Sequence, residues 1–545
     1  MGISTKELMR YASALLLFGA YCITVTMRNN HFFTEYNFIL HHGAKSDILG
    51  GTFVKEVLES INGIVWGVPA LILILGVGLY LSIRTGFAQI TLFPRALRSF
   101  LRKFRCREAT DGVSPMQALC TALAATVGTG NLAGVAGAMA IGGPGSIFWM
   151  WICALLGMVT KYAEATLAVR YRVRCNGEWI GGPMYIIQNG LGEKWRWLSM
   201  LYAFFGVVAA FGVGNATQIN AVITGVNEAV LFFGGTPTPA GNLIMGAVLA
   251  AVIALMLLGG ARRIGRTAET LVPFAAAAYL LLGLFVLIAR IQDIPAAFAA
   301  IFEGAFSPRA VTGGIVGSFL TTLRIGVSRG VFTNEAGMGT ASIAHAGAEV
   351  THPAEQGLMG IVEVFLDTIV ICTMTALVIL VSGVPIPYGV DTGAVLTTRA
   401  FEAVCGGWVS VFIAAALCCF AFATVLGWGL YGARCAQYLF GSDVRRSFAL
   451  LQAVTVVLSA VLNTGTVWLL SEIVNGLMAI PNLIALAALS TELRRLTIDY
   501  RHGGTYESFH QCKPLRALSY AEIPSSGGKS QAGGQENLSS EYRSA

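Results

Sequence analysis

Inside an otherwise apolar stretch, TALAATVGTGNLAGVAGAMA at 121–140, the chain sets Thr126, Gly128, Thr129, Gly130 and Asn131 close together. Hydroxyl and amide oxygens beside glycines need no titration to act. They can offer oxygen atoms and bare backbone to a small ion or polar solute. Each glycine also weakens a helix by about 1 kcal/mol relative to Ala. In lipid an unwound backbone is tolerated only where it is buried in protein or lines a cavity. A spanning helix interrupted at mid-depth is how many secondary transporters build an ion and substrate site. Two plainer readings compete. Gly130 and Gly134 form a GxxxG pair, a close-contact surface between helices. GTGNLA also fits the G-x-G-x-x-A dinucleotide fingerprint, but it lacks the preceding strand and the acidic residue about 20 positions on that the fingerprint needs, which excludes it.

A second apolar stretch, 312–347, carries Arg324, Arg329 and Glu335, and is expected to be interrupted at Gly326 to Ser328 and again at Gly337 to Gly339. Charges there are costly in lipid and should face protein or water. Lys161 and Glu164, three apart, read as a same-helix ion pair or a cytoplasmic-edge snorkelling pair. Glu363 and Asp367, four apart, have no basic neighbour on their helix, which leaves a proton or cation role or a hydrogen-bonded structural pair. Gln218, Thr424 and Trp428 are further polar or aromatic groups inside apolar runs. The eleven cysteines show no CxxC pair and the seven histidines no ligand spacing, so neither zinc nor a disulfide framework is indicated. No nucleophile motif lies within the apolar runs, which argues against an enzyme.

These groups need a scaffold, and composition identifies it. Of 545 residues 55% are hydrophobic and 12% charged, about half the charge of a soluble domain. Apolar runs near the length that crosses a bilayer recur, so the chain reads as an all-α polytopic membrane protein. Spans are expected near 62–82, 115–141, 147–169, 198–225, 242–260, 268–290, 312–347, 357–382, 406–433, 448–470 and 473–491, eleven in all. Residues 11–26 would be a twelfth, read as an uncleaved anchor rather than a signal peptide, since no clean cleavage site follows. With the 84–114 loop inside, 27 of the 36 Lys and Arg fall in inside segments, as the positive-inside rule expects. The net charge of +7 therefore follows membrane topology and does not imply nucleic acid.

The second and seventh spans are the interrupted ones. The seventh sits five spans on from the second, an odd number, so halves starting at each would run in opposite orientations, an inverted repeat with the site between the broken helices. The expected divisions are an N-terminal extension at 1–60, a first span and basic cytoplasmic loop at 61–114, a first five-helix repeat at 115–290, a second at 291–495, and a polar, disordered cytoplasmic tail at 496–545. A channel, the main rival, would more often be a smaller repeated subunit with rings of like groups. Here the two broken helices differ in sequence.

TALAATVGTGNLAGVA, GGPGSIFWMWICALLGMVTKYAEATLAVRYR, GGPMYII, GVFTNEAGMGTASIAHA and EVFLDTIVICTMTALVIL, in this order, resemble the alanine/glycine:cation symporter family. The likeness covers about residues 60–495. It implies the leucine-transporter-type fold, with one extra helix ahead of a five-plus-five inverted repeat. It also implies sodium- or proton-driven uptake of alanine or glycine across the cell membrane, with no other cofactor. By that resemblance the carbonyls of Ala124, Val127 and Ala421 and the Thr424 hydroxyl would hold sodium. Amides near Gly128, Thr129 and Gly130 would receive the substrate carboxylate, at the positive end of a half-helix. Carbonyls near Thr126 and Ile325 would take the ammonium group, and Asn131, Gln218, Gly326, Ser328 and Trp428 would complete the pocket. Val425 follows Thr424 where that fold's sodium site often carries a second hydroxyl, so sodium and proton both remain as coupling cation.

Overall fold

The computed structural model describes residues 48–504, apart from 106–111, 176, 308–311, 313–317, 391–392, 442–443 and 462–464. The anchor expected at 11–26 lies outside the described residues. Helix α1 (Ile48–Val65) begins inside the segment read as the N-terminal extension, and α2 (Val68–Thr85) continues it after a break at Trp66 and Gly67. Pro69, in the first turn of α2, suits a helix start, where its missing N–H is not needed. The α2 helix ends at Gly86 in the left-handed region (φ 65°). After a short turn, the basic helix α3 (Phe93–Arg105) leads to the first interrupted span.

That span is α4 (Pro115–Thr126) and α5 (Gly130–Gly142), bent by 49° to each other. A capping box starts α4: Ser114 Oγ accepts from the Gln117 N–H (3.1 Å) and Gln117 Oε1 accepts from the Ser114 N–H (3.3 Å). Then follow α6 (Ser146–Tyr171), a small antiparallel hairpin of β1 (Val173–Cys175) and β2 (Glu178–Ile180), and α7 (Glu193–Phe232), which contains a π-helical turn at Gly212–Ala216. Two lipid-type spans close the first half, α8 (Pro239–Leu258) and α9 (Gly260–Ala289). Helix α10 (Ile294–Phe306) leads to the second interrupted span, α11 (Phe319–Asn334) and α12 (Thr340–His345). The chain continues through α13 (Pro353–Val381), α14 (Ala394–Cys405), α15 (Val409–Phe440), α16 (Val444–Ser459), α17 (Gly465–Ala488) and α18 (Ser490–Arg501).

Among the described residues eight helices are long and apolar enough to cross a membrane, or nine with α4 and α5 taken as one span. Burial sorts them. Only 17% of the most apolar window of α8 is buried, against 83% for α6. The exposed side chains of the outer helices, such as Ile244, Phe274 and Leu281, are ones that water would reject and acyl chains accept. The polar groups instead gather around α4–α6, α11–α13 and α15.

Corresponding spans of the two halves pack on each other. Helix α6 lies along α13, α7 along α15, and α8 along α16, while α5 meets α11 and α4 meets α12. Like-with-like pairing is what a twofold axis between two oppositely oriented halves produces.

Two expectations are corrected here. Helix α11 runs unbroken through Gly326 to Ser328. A Cβ at Gly326 would run into the Ser146 carbonyl and Trp149, and one at Gly330 would stand 3.3 Å from Cys153. These glycines let α11 approach α6 closely, the packing use of small residues at four-residue spacing. The chain breaks further on, where Glu335 (φ 53°), Gly337 (φ 97°) and Gly339 (φ 80°) all take left-handed backbone. The polar tail also starts later than 496. Helix α18 carries the chain to Arg501 with Leu493, Leu496 and Thr497 buried, and the compact unit ends at Gly504.

Candidate functional site

The first break forms because α4 stops being able to continue. Thr126 turns its hydroxyl back to the Ala122 carbonyl (3.3 Å), and the Val127 N–H closes the last turn on Leu123 (2.7 Å). Val127 then leaves the helix at ψ 98°. The Gly128 N–H is donated to Asn131 Oδ1 (2.8 Å), and the Asn131 N–H returns to the Gly128 carbonyl (3.2 Å). Asn131 thus satisfies the amide nearest the bend itself. The amides of Thr129 and Gly130 follow at the N-terminal end of α5, where the helix dipole favours negative charge. The Asn131 Nδ2 donates to Asp367 Oδ1 on α13 (2.8 Å), fastening the break from behind.

Two other helices close on the front of the break. The π-helical turn in α7 brings up Gln218, whose Oε1 accepts from the Thr129 hydroxyl (3.1 Å) while its Nε2 donates to the Val213 carbonyl (3.2 Å). From α15, the Thr424 hydroxyl lies 2.9 Å from the Ala124 carbonyl and 2.9 Å from that of Phe420. A Cβ on Gly128 would stand 2.7 Å from that hydroxyl oxygen and 3.7 Å from Gln218 Oε1. Glycine is therefore what permits the approach. Carbonyl, hydroxyl and amide oxygens from α4, α7 and α15 converge here, a donor set that suits a hard cation or a zwitterion. The carbonyls of Val127 and Ala421 belong to the same two elements as Ala124 and Thr424, and both residues are buried.

The second break is held by a carboxylate that the sequence reading assigned elsewhere. Glu164 Oε1, on α6, accepts from the Gly337 N–H (2.9 Å), the Gly339 N–H (3.1 Å) and Asn482 Nδ2 of α17 (2.8 Å). Asn482 also donates to the Gly337 carbonyl (2.8 Å). Glu335 is fixed by Trp428 Nε1 (3.0 Å) and by the Thr340 hydroxyl. The Asn334 Oδ1 accepts from the Ala336 N–H (2.9 Å), and its Nδ2 donates to Thr368 of α13 (3.1 Å). Every one of these side chains is buried, so the unwound segment is satisfied by protein, as burial in lipid requires.

Lys161 does not pair with Glu164 as the same-helix spacing suggested. Its Nζ lies 3.0 Å from Glu363 Oε1 on α13, both side chains wholly buried. Glu363 Oε2 meets His345 Nε2 (2.9 Å), and His345 Nδ1 meets Gln356 Nε2 (2.7 Å). The carboxylate pair that lacked a basic neighbour on its own helix receives one from α6.

The expected site residues thus divide. The structure brings Ala124, Gly128, Thr129, Gln218 and Thr424 together at the first break, with Asn131 behind them. Thr126 spends its hydroxyl on its own helix, and Gly130 faces Thr333 of α11. Trp428 stands against the second break. Ile325 packs on Gly142 and Gly326 on α6, and Ser328 is half-buried on the unbroken α11. Arg329, one residue on, pairs with Glu472 of α17 (3.1 Å). Sequence reasoning missed Asn334 and Asn482 altogether. Asparagines inside apolar runs were the available signal.

Residues 51–511 match the profile of the sodium:alanine symporter family. The sodium/alanine symporter AgcS of Methanococcus maripaludis is 44% identical over 442 residues, covering 80% of this chain and 94% of that protein. The probable sodium/glutamine symporter GlnT of Bacillus subtilis is 36% identical over 456 residues, 82% of this chain and 91% of that one. The crystal structure of MhsT in complex with L-phenylalanine superposes with a TM-score of 0.51 at 13% identity, over 72% of this chain and 99% of that one. The fold is the leucine-transporter type.

Proposed function

The chain belongs to the sodium:alanine symporter family, and from that premise we propose that it takes up alanine and glycine with sodium, by alternating access of one central site. Cation-coupled amino-acid symport is the activity of the family, so the chain is a multi-pass transporter and not an enzyme. One observation carries the finer reading: the Thr424 hydroxyl of α15 lies 2.9 Å from the Ala124 carbonyl, directly beside Gly128.

That cluster supports sodium over a proton because its oxygens are neutral and do not titrate near neutral pH. Ala124, Val127, Ala421 and Thr424 would supply oxygen ligands, and the amides at Thr129 and Gly130 would receive the substrate carboxylate. Gly128, Thr129 and Gln218 leave little room and no net charge, which favours a small neutral amino acid. Glu335, an acid at the second break, is already held by Trp428 and Thr340. The basic loops at 84–114 and 170–196 face the cytoplasm in this reading, as does the C-terminal tail, and the membrane is the cell membrane.

The test is uptake of labelled alanine into proteoliposomes, with and without an inward sodium gradient and with a proton gradient alone. Accumulation above equilibrium only with sodium is expected. Gradient-independent, ohmic current would instead mean a channel, and accumulation driven by protons alone would overturn the sodium assignment. Competition by glycine should be strong and by leucine and glutamate weak. Glutamine competing as well as glycine would show a roomier pocket than proposed.

A further inference from the structure

Helix α3 presents three faces around its circumference at 3.6 residues per turn. The first is docked. Ala96 is fully buried, the Phe93 ring meets Phe365 edge-on with centroids 4.9 Å apart, and Lys103 Nζ lies 2.7 Å from Glu355 Oε1 near the start of α13. The second is apolar and open, with Leu97, Leu101 and Phe104 exposed by 36%, 45% and 55%. The third is a row of arginines, Arg95, Arg98, Arg102 and Arg105, all exposed. Among the described residues none of these four makes an ion pair, whereas Lys103 of the same helix does.

We propose that α3 lies in the membrane interface, with Leu97, Leu101 and Phe104 among acyl chains and the four arginines holding the phosphates of anionic phospholipids. The docked face fixes how the helix rolls, so the other two faces are not free to choose their surroundings. An acidic soluble protein or a nucleic acid would neutralise the arginines but leave the apolar row in water. A lipid surface satisfies both rows at once, since an in-plane amphipathic helix buries its apolar side at the headgroup boundary. Guanidinium forks pair two-fold with phosphate oxygens, and anionic lipid adds attraction for each basic residue at that depth. Because Lys103 reaches Glu355, lipid bound here bears on α13, the helix that carries Glu363 and Asp367.

The experiment uses the full chain in phosphatidylcholine vesicles doped with photoactivatable phosphatidylglycerol or, in parallel, photoactivatable phosphatidylcholine, followed by peptide mapping. Residues 93–105 should be labelled several-fold more by the anionic probe, and the preference should shrink at high salt. Replacing Arg95, Arg98, Arg102 and Arg105 by Gln should bring the two probes level while labelling at Leu97, Leu101 and Phe104 persists. Replacing all four by Lys, which keeps the charge, should keep most of the preference. The two paired variants, R95Q/R98Q and R102Q/R105Q, give the same reading if the fourfold Gln variant does not fold. Equal labelling by both probes in the native chain, a preference that survives loss of charge, or no labelling of this helix would each overturn the proposal.

Discussion

Replacing Thr424 by Val tests the central site most directly. The hydroxyl is shared between the Ala124 carbonyl across the interface and the Phe420 carbonyl in its own helix, each at 2.9 Å. The bond to Phe420 is a back-bond to the fourth residue before, of a kind that adds little to helix stability. Folding should therefore change little. The contact with Ala124 is different, because it places an oxygen where the cation is proposed to sit. Losing one buried polar partner costs about 1–3 kcal/mol. At about 1.4 kcal/mol per factor of ten, sodium affinity should fall by about 5- to 150-fold. The assay is the sodium concentration for half-maximal alanine uptake in proteoliposomes, with thermal melting in detergent as the folding control. Thr424→Ser keeps the oxygen and should stay within a few-fold of the native chain. An unchanged sodium requirement in the Val variant would refute the assignment. Equal losses in Val and Ser would place the effect in the methyl packing instead.

Gly128→Ala puts a methyl 2.7 Å from the Thr424 oxygen, so uptake should be abolished while the amount of folded protein in membranes stays near native; reduced expression with normal transport would mean that Gly128 only packs. Glu164→Ala strands the Gly337 and Gly339 amides and should cost about 1–3 kcal/mol for each unmet donor, read as a lower melting temperature. Glu164→Gln, which retains an acceptor oxygen, should recover much of that loss. Lys161→Met leaves Glu363 buried without its cation and should destabilise by about 3–5 kcal/mol, whereas adding Glu363→Met should restore much of the melting temperature.

How much the sequence revealed depended on whether a residue type had one structural use or two. The first break was legible because glycines flanked by Thr and Asn in an apolar run have few explanations in lipid. On the second interrupted span, Gly326 looked like Gly337 and Gly339, since glycine serves both close packing and left-handed backbone. Only the neighbours decide which, and those come from α6 and α17. The charged residues were recognised as buried, but their partners were misassigned. Spacing of three or four names a neighbour on the same helix, while Lys161 finds Glu363 and Glu164 finds Gly337 across helices that the sequence does not place side by side. The opposite orientation of the two halves was accessible from parity alone, because broken helices an odd number of spans apart in the chain, here the second and the seventh, must run in opposite directions.

The long reach of the Lys161–Glu363 pair has a consequence for how the chain enters the bilayer. About 200 residues separate the two, and at about 5–20 residues per second of synthesis the ribosome needs about 10–40 s to deliver the partner. During that interval α6 holds Lys161 and Glu164 with neither α13 nor the second break yet made. A charged residue at the centre of a lone helix costs about 2.5–3.5 kcal/mol to insert. The only opposite charge α6 can offer Lys161 in that time is Glu164, three residues away. The same-helix partner is thus the one available to the nascent chain, and Lys161 gains Glu363, and Glu164 the Gly337 amide, only as the second half arrives.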